Sequence, residues 1–173
     1  NVSGGPKMFQ LYIHKDKGLT DNLIDRCKRS GFKAMCLTVD TVVAGNRERD
    51  HRWGFTTPPK LTLKSLLSFA THPMWSINYL THEKFQLANV SHFTKKGSSI
   101  AKGVMEYINE QYDPKMNWQD AEYCIKRWGG PFAIKGVMSV EDAKRAVEIG
   151  ASAIMLSNHG GRQLDGSRSP FDQ

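Results

Sequence analysis

Residues 131–158, PFAIKGVMSVEDAKRAVEIGASAIMLSN, decide the fold class of this chain. They predict a strand from Pro131 to Val137, a helix capped by Ser139 and ended by Gly150, and a second strand over residues 151–157. Neither strand alternates between apolar and polar residues, which is typical of parallel strands buried on both faces. A strand, a helix and a strand in this order predict a βα unit with a parallel sheet.

The same pattern occurs near the start of the chain. Residues 8–13 and 32–39 are short apolar strand patterns, and the helix between them is expected to be capped by Thr20 and stopped by Gly31. The expected buried face of that helix comprises Leu23, Ile24 and Cys27. A further helix is predicted over residues 118–128. The sequence therefore predicts an α/β fold with four parallel strands, in a barrel or a doubly wound sheet, and four strands are too few to close a barrel.

A long segment, residues 54–117, separates the second and third strands, whereas such connections usually have about 2–6 residues. Thr62 is expected to cap a helix within it, and residues 98–112 are expected to form another amphipathic helix. Two interpretations stay open. The segment is either a soluble lid whose Leu63, Leu66, Leu67 and Phe69 are core, or a peripheral membrane contact through residues 59–89, because lysines surround its apolar and aromatic residues.

Composition narrows the class of protein. Of the 173 residues, 39% are hydrophobic and 24% are charged, which is ordinary for a soluble globular chain. No apolar run approaches the ~18 residues of a membrane-spanning helix. The cysteines are Cys27, Cys36 and Cys124, an odd number without metal-ligand spacing, so we expect buried thiols rather than disulfides or a metal site.

The net charge of +7 is compatible with nucleic acid, an anionic membrane surface or anionic small molecules as ligands. Sequence signatures of nucleic-acid-binding modules are missing, and the arginines do not line one helix face. A basic nucleic-acid-binding module is therefore the least favoured alternative.

Polar side chains lie in or just after the carboxyl-terminal half of every predicted strand. They are Gln10 and Tyr12, Thr38 and Asp40, Lys135, and Ser157, Asn158 and His159. Because ligands of (β/α)8 barrels bind at this end of the strands, the placement favours an enzyme.

The residue types form a coherent chemical set. His159 is suited to act as a general base, and the Asp40 carboxylate to orient it and stabilise its imidazolium. Arg47 and Arg162 offer guanidinium forks that bind a carboxylate, which indicates a small organic acid as substrate. Lys135 places positive charge against a developing anion.

The run Ser157-Asn158-His159-Gly160-Gly161-Arg162-Gln163 resembles the active-site signature of the FMN-dependent 2-hydroxy-acid oxidases and dehydrogenases. Gln10-Leu11-Tyr12, Thr38-Val39-Asp40-Thr41, Arg47-Glu48-Arg49-Asp50 and Ile134-Lys135-Gly136 also match, in the family's order. Apart from the long segment, the resemblance covers nearly the whole chain. Residues 71–75, THPMW, and 87–90, LANV, are most similar to the bacterial respiratory L-lactate dehydrogenases. The resemblance implies a partial (β/α)8 TIM barrel, about strands 3 to 6, with a long inserted helical segment over residues 54–117.

The resemblance also implies a reaction and its residues. His159 is expected to abstract the substrate proton with support from Asp40, and Tyr12 to contact the substrate oxygen. Arg47 and Arg162 are expected to hold the substrate carboxylate. FMN is expected to contact Gln10, Thr38, Lys135 and Ser157, and no metal is expected. The expected reaction is oxidation of an L-2-hydroxy acid, L-lactate to pyruvate, with a quinone or a cytochrome as electron acceptor. The alternatives are an oxygen-using oxidase similar to glycolate oxidase and a mandelate dehydrogenase.

Both ends of residues 1–173 are interpreted as cuts in a longer chain, because the first residue is Asn1 rather than Met and the last residues are a polar stretch without a helical stop or a closing strand. The resemblance implies that the family's first two and last two strands lie outside the sequence. The isolated piece is expected to be inactive and to bind FMN poorly. The complete protein is expected to be a cytoplasmic homotetramer, which under the second interpretation of residues 59–89 contacts the cytoplasmic face of the inner membrane.

Overall fold

A computed structural model describes residues 4–41, 45–46, 48–53, 62–82, 111–164 and 166–173. The chain divides into two compact units, residues 1–46 together with 111–173, and residues 47–110. In chain order the described elements are β1 (Met8–Leu11), α1 (Lys17–Arg29), β2 (Ala34–Thr38), α2 (Glu48–Trp53), α3 (Leu63–Ala70), α4 (Pro73–Thr81), α5 (Trp118–Trp128), β3 (Phe132–Val137), α6 (Val140–Glu148) and β4 (Ala153–Leu156). A short 3-10 turn at His159–Gly161 follows β4.

The first unit contains a sheet of four parallel strands in the order β1-β2-β3-β4. Each strand pairs with the next one along the chain, which is the arrangement of successive βα units in a barrel. The register aligns Gln10 with Cys36, and Thr38 with Lys135. The predicted set of four parallel strands is confirmed.

The two faces of the sheet differ in character. Leu11, Leu37 and Ile134 are aligned across three strands and are fully buried on one face. Burial of each such side chain contributes about 1.5–3 kcal/mol. Because side chains alternate along a strand, Gln10, Thr38 and Lys135 lie on the opposite face. The apolar face therefore anchors the strands, and the polar side chains share the other face.

Helix α1 begins earlier than the sequence predicts. Its N-cap is Asp16, whose carboxylate accepts a hydrogen bond from Leu19 N. Thr20 lies inside the helix and is buried, and its hydroxyl accepts from His14 N instead. The predicted cap at Thr20 is therefore wrong, because an aspartate four residues earlier already satisfies the first turn. The expected buried face of this helix is confirmed.

The caps predicted in the second half are confirmed. Ser139 accepts from Asp142 N at the start of α6, and Gly150 follows that helix with a φ of 94°. Helix α5 begins at a capping box between Asn117 and Asp120 and ends at Gly129, whose φ is 68°.

One expectation of burial in this half is wrong. β4 was expected to be buried, but Ile154, Met155 and Leu156 are 36%, 40% and 48% exposed. Within the described residues β4 pairs with β3 alone, so it is an edge strand and one side of it has no neighbour. On α6 only Ala146 is fully buried, and Val147 is exposed. An apolar pattern predicts which residues can be buried, whereas burial needs a packing partner.

The three cysteines are free and buried, as expected. Burial, with smaller contributions from nearby Asp120 and Asp21, raises the pKa of Cys124 to about 12. Its thiol therefore stays protonated at physiological pH and serves as a small apolar side chain.

The second unit contains α2, α3 and α4. Thr62 caps α3 as predicted, in a capping box with Ser65, and α4 begins at Pro73. Trp75 stacks on Phe69 and on Tyr79 with ring centroids 5.3 Å apart in both cases. Neither α3 nor α4 contains a buried residue. The helix expected over residues 98–112 and the lysines beyond His82 fall mostly outside the described residues. In the described part of the chain, every helix is too short or too polar to cross a bilayer.

Candidate active site

A histidine and a carboxylate meet where the strands of the first unit end. His159 Nδ1 lies 3.0 Å from Asp40 Oδ1, and the two side chains are 22% and 10% exposed. The carboxylate favours a proton on Nδ1, which leaves Nε2 as the basic nitrogen. It would also stabilise the imidazolium formed when Nε2 takes up a proton. The predicted base and orienter are therefore brought together.

The second oxygen of the Asp40 carboxylate has partners that the sequence does not reveal. Ser157 Oγ donates to Asp40 Oδ2 at 3.0 Å and accepts from His159 N at 3.0 Å. Lys135 Nζ lies 3.5 Å from the same oxygen. Asp40 therefore receives hydrogen bonds or positive charge from three sides, which fixes its orientation towards the imidazole.

The backbone at His159 is in the left-handed region, with a φ of 57°. Such a conformation costs a non-glycine residue about 1–3 kcal/mol and persists only where the surroundings enforce it. Here Asn158 spans the turn, since Asn158 Oδ1 accepts from Gly161 N at 3.2 Å and Asn158 Nδ2 donates to Arg168 O at 3.0 Å. The turn directs the imidazole towards Asp40.

Gly136 lies at an irregularity in the pairing of β3 with β4 and has a φ of 110°. A Cβ at this position would meet Asp40 Cβ at 2.8 Å and Asp40 N at 2.9 Å. The chain of β3 thus approaches Asp40 as closely as a glycine permits. The sequence contained the glycine, but its role depends on the neighbouring strand.

A second cluster lies on the same face, at the ends of β1 and β2. Gln10 Nε2 donates to Thr38 Oγ1 at 2.6 Å and to the Tyr12 hydroxyl at 2.9 Å. Because the Tyr12 hydroxyl accepts here, its own hydrogen is available to a ligand. Burial, followed by the nearby Tyr112 phenol, raises the pKa of Tyr12 above 10.0, so this donor stays protonated at neutral pH. Thr38 and Lys135 are aligned, so the two clusters adjoin.

The two predicted carboxylate-binding arginines have different outcomes. Arg162 follows the 3-10 turn and is exposed, and its guanidinium has no hydrogen-bond or ion-pair partner among the described residues. Arg47 lies outside the described residues.

Gly45 lies against the Arg162 carbonyl and the Gln163 side chain, where a Cβ would collide with both. This contact, like Gly136, was missed from the sequence.

The comparisons with known proteins agree with this geometry. The FMN-dependent dehydrogenase family matches residues 1–173, the whole chain. The chain belongs to the FMN-dependent dehydrogenase family. The family match confirms the resemblance of its signature, and the cofactor of this family is FMN.

Curated members of the family are similar along nearly the whole chain. An L-lactate dehydrogenase of Serratia proteamaculans is 40% identical over 162 residues, 93% of this chain and 42% of that protein. An L-lactate oxidase of Nostoc sp. is 42% identical over 164 residues, 95% of this chain and 39% of that protein. The chain therefore spans about two fifths of the length of these relatives.

A solved family member has the same fold. The crystal structure of (S)-mandelate dehydrogenase, described as a monotopic membrane protein, matches with a TM-score of 0.89 and 33% identity. The match covers 99% of this chain and 45% of that one. The structural neighbours are TIM-barrel flavoenzymes, so the predicted partial barrel is confirmed.

The residues of this FMN-dependent dehydrogenase chain suit the cofactor. Flavin rings carry carbonyl and nitrogen acceptors and an N–H donor. The polar face offers the Gln10 amide oxygen as an acceptor, and the Thr38 hydroxyl and the Lys135 ammonium as donors. The Lys135 side chain is 21% exposed, and its ammonium lies 3.5 Å from one Asp40 oxygen, so other ammonium hydrogens remain for a ligand. The Ser157 hydroxyl, in contrast, is already engaged with Asp40 and His159.

Proposed function

We propose that the complete protein oxidises an L-2-hydroxy acid, with L-lactate as substrate and pyruvate as product. The observation that carries this proposal is the 3.0 Å contact between His159 and Asp40, beside the polar face formed by Gln10, Thr38 and Lys135. The names of the relatives, L-lactate dehydrogenase and L-lactate oxidase, support the choice of substrate.

In the proposed reaction His159 Nε2 takes a proton from the CH–OH group of the substrate. Asp40 stabilises the resulting imidazolium through Nδ1. Tyr12 donates a hydrogen bond to the substrate oxygen, and Arg162 and Arg47 bind the substrate carboxylate. FMN, when bound, would supply the acceptor for the two electrons and for the second hydrogen of the CH–OH group, so that the product is the 2-oxo acid.

The cofactor site is proposed to include Gln10, Thr38, Lys135 and Ser157. Gln10 and Thr38 are hydrogen-bonded to each other, so their remaining polar atoms are held in fixed directions. Lys135 brings a positive charge that stabilises an anionic ring. Ser157 contributes chiefly through the Asp40–His159 pair, because both polar functions of its hydroxyl are used there.

The test uses the complete protein with FMN bound, mixed anaerobically with L-lactate while the flavin absorbance is followed. We expect rapid bleaching that is lost in His159→Gln and retained in Lys144→Gln, a control on the exposed side of α6. If L-lactate leaves the flavin oxidised while glycolate or mandelate bleaches it, the substrate is wrong and the site stands. If none of the three bleaches it, or His159→Gln bleaches normally, the catalytic proposal is refuted.

The electron acceptor is proposed to be a quinone or a cytochrome, and the complete protein a homotetramer. Oxygen is the competing acceptor, since one relative is named an L-lactate oxidase. Stoichiometric hydrogen peroxide during turnover in air would assign the protein to the oxidases. Light scattering of the purified complete protein measures the mass of the assembly.

Residues 59–89 are proposed to contact the cytoplasmic face of the inner membrane. Leu63, Leu67, Met74 and Leu80 are 81%, 69%, 79% and 79% exposed on α3 and α4. Residues 62–82 contain no aspartate or glutamate, so nothing there repels anionic lipid. The membrane description of the mandelate dehydrogenase relative supports the proposal. The alternative is the soluble lid, in which these side chains are covered by protein.

Sedimentation with anionic vesicles tests this contact in the complete protein. We expect the paired substitution Leu67→Glu and Leu80→Glu, or deletion of residues 59–89, to release the enzyme from vesicles. Val147→Glu, which changes an exposed apolar side chain on α6, is the matched control and is expected to sediment normally. Unchanged sedimentation of the paired variant would favour the lid.

A further inference from the structure

Tyr112 packs against the proposed substrate-binding tyrosine. The rings of Tyr12 and Tyr112 meet edge to face, with centroids 6.4 Å apart and an interplanar angle of 86°. Tyr112 precedes α5 and is distant in sequence from every motif that matches the family. The contact therefore brings an unassigned aromatic residue to the edge of the sheet where the candidate site lies.

The backbone of Tyr112 is fixed to the segment that follows β1. Tyr112 forms an isolated antiparallel bridge with His14. Beside it, Lys15 N donates to Gln111 O at 2.9 Å, and Asp16 N donates to Gln111 Oε1 at 2.9 Å. Asp16 is also the N-cap of α1. Residues 111–112 are thus bound to the same short segment that carries Tyr12, so the two rings are held by one framework.

The space around the rings is nearly filled. The cavity between Tyr12, Thr38, Thr41, Tyr112 and Met116 has a volume of about 10 Å³. A cavity needs about 10–15 Å³ to hold even a single water molecule. On the side that faces this cavity, Tyr12 therefore has little room to turn while the Tyr112 ring is in place, and removal of that ring would open such room.

Gln10 and Tyr112 hold Tyr12 at two points. Gln10 Nε2 fixes the hydroxyl at 2.9 Å, and the ring of Tyr112 fixes the ring of Tyr12. We propose that Tyr112 is a positioning residue, which acts on the substrate only through Tyr12 by keeping the phenolic hydrogen aimed at the substrate oxygen. This inference rests on the proposed function, in which Tyr12 contacts that oxygen.

The test is a double-mutant cycle on the complete, FMN-loaded protein, with Tyr12→Phe, Tyr112→Leu and the two combined. The interaction energy of an edge-to-face aromatic pair corresponds to about a 3- to 10-fold change in a rate. We expect Tyr112→Leu to lower the anaerobic flavin-reduction rate by that factor at unchanged flavin content. Tyr112→Phe retains the ring and is expected to retain the rate. In the Tyr12→Phe background, Tyr112→Leu is expected to have no further effect.

The outcomes separate the inference from the function on which it rests. If Tyr12→Phe is impaired and the two effects multiply, Tyr112 does not act through Tyr12 and the inference is wrong. A normal rate in Tyr112→Leu also overturns it. If Tyr12→Phe itself reduces normally, the proposed role of Tyr12 fails first and the inference fails with it. Should Tyr112→Leu lose flavin, Tyr112→Met, which preserves more side-chain volume, takes its place in the cycle with the same expected results.

Discussion

Replacement of Gly136 by alanine should disturb the candidate base without removing a polar side chain. The glycine has a φ of 110°, a region that L-residues rarely adopt, and an alanine Cβ would lie 2.8 Å from Asp40 Cβ. Ordinary contacts of a Cβ begin at 3.4 Å. The chain of β3 and the Asp40 backbone must therefore separate by about 0.6 Å.

That displacement sets the expected magnitude. Backbone strain at a positive φ costs about 1–3 kcal/mol. Overpacking adds about 1–3 kcal/mol. A misplacement of about 1 Å at a catalytic group can lower a rate about 100-fold, so 0.6 Å at the residue that orients His159 should lower it about tenfold. Asp40 moves together with its contacts to Ser157 and Lys135, so the loss falls on the chemical step.

The assay is anaerobic flavin reduction by the complete protein, with urea unfolding measured in parallel. Gly31→Ala is the matched control, because Gly31 has a φ of 69° and nothing within 4 Å of its added Cβ. That control should lose about 1–2 kcal/mol of stability and keep its rate. Equal reduction rates in Gly136→Ala and Gly31→Ala would show that the close approach to Asp40 is irrelevant to catalysis.

Three further predictions concern the same protein. Asp40→Asn, which keeps the shape but removes the charge, should slow flavin reduction by about 100-fold or more, and a normal rate would contradict the role given to its contact with His159. Burial lowers the pKa of His14 below 6.5 in the folded protein, so the unfolded chain binds this proton first as the pH falls. The contribution of His14 to the free energy of unfolding is therefore complete above pH 6.5 and is lost as the pH falls through the folded pKa. His14→Gln should flatten the pH dependence of unfolding by at most about 1.4 kcal/mol per pH unit, and an unchanged pH dependence would contradict this role of His14. Asn117→Ala, which removes the α5 cap, should cost about 1 kcal/mol in urea unfolding with an unchanged reduction rate, and unchanged stability would contradict the cap.

The sequence predicts the strands, the strand-end polar residues and most helix ends, because these depend on local patterns. A run such as Phe132–Val137 has few alternatives to a buried strand. Ser139 and Gly150 act directly on the start and the end of the helix between them. The pairing of His159 with Asp40 was also predictable, since the ends of parallel strands converge and the residue types fit one reaction.

The rest depends on neighbours that a sequence does not reveal. The need for a glycine at Gly136 comes from the Asp40 backbone on the adjacent strand. Lys135 was assigned to the cofactor, whereas its ammonium also faces Asp40, because the register aligns β2 with β3. Tyr112 lies in no motif, and it is the pairing of residues 111–112 with residues 14–16 that brings it beside Tyr12. Thr20 has a side chain suited to a cap, but Asp16, four residues earlier, caps the helix instead.

The alignment of Thr38 with Lys135 is maintained across a connection as long as residues 39–131. The entropic cost of closing a flexible connection rises slowly with its length, by only about 0.6 kcal/mol for each doubling. Most of what lies between those two positions can therefore be lengthened, shortened or replaced while the strands stay paired. A change in the proposed membrane-contact segment, residues 59–89, then requires no change in the strands that orient the base.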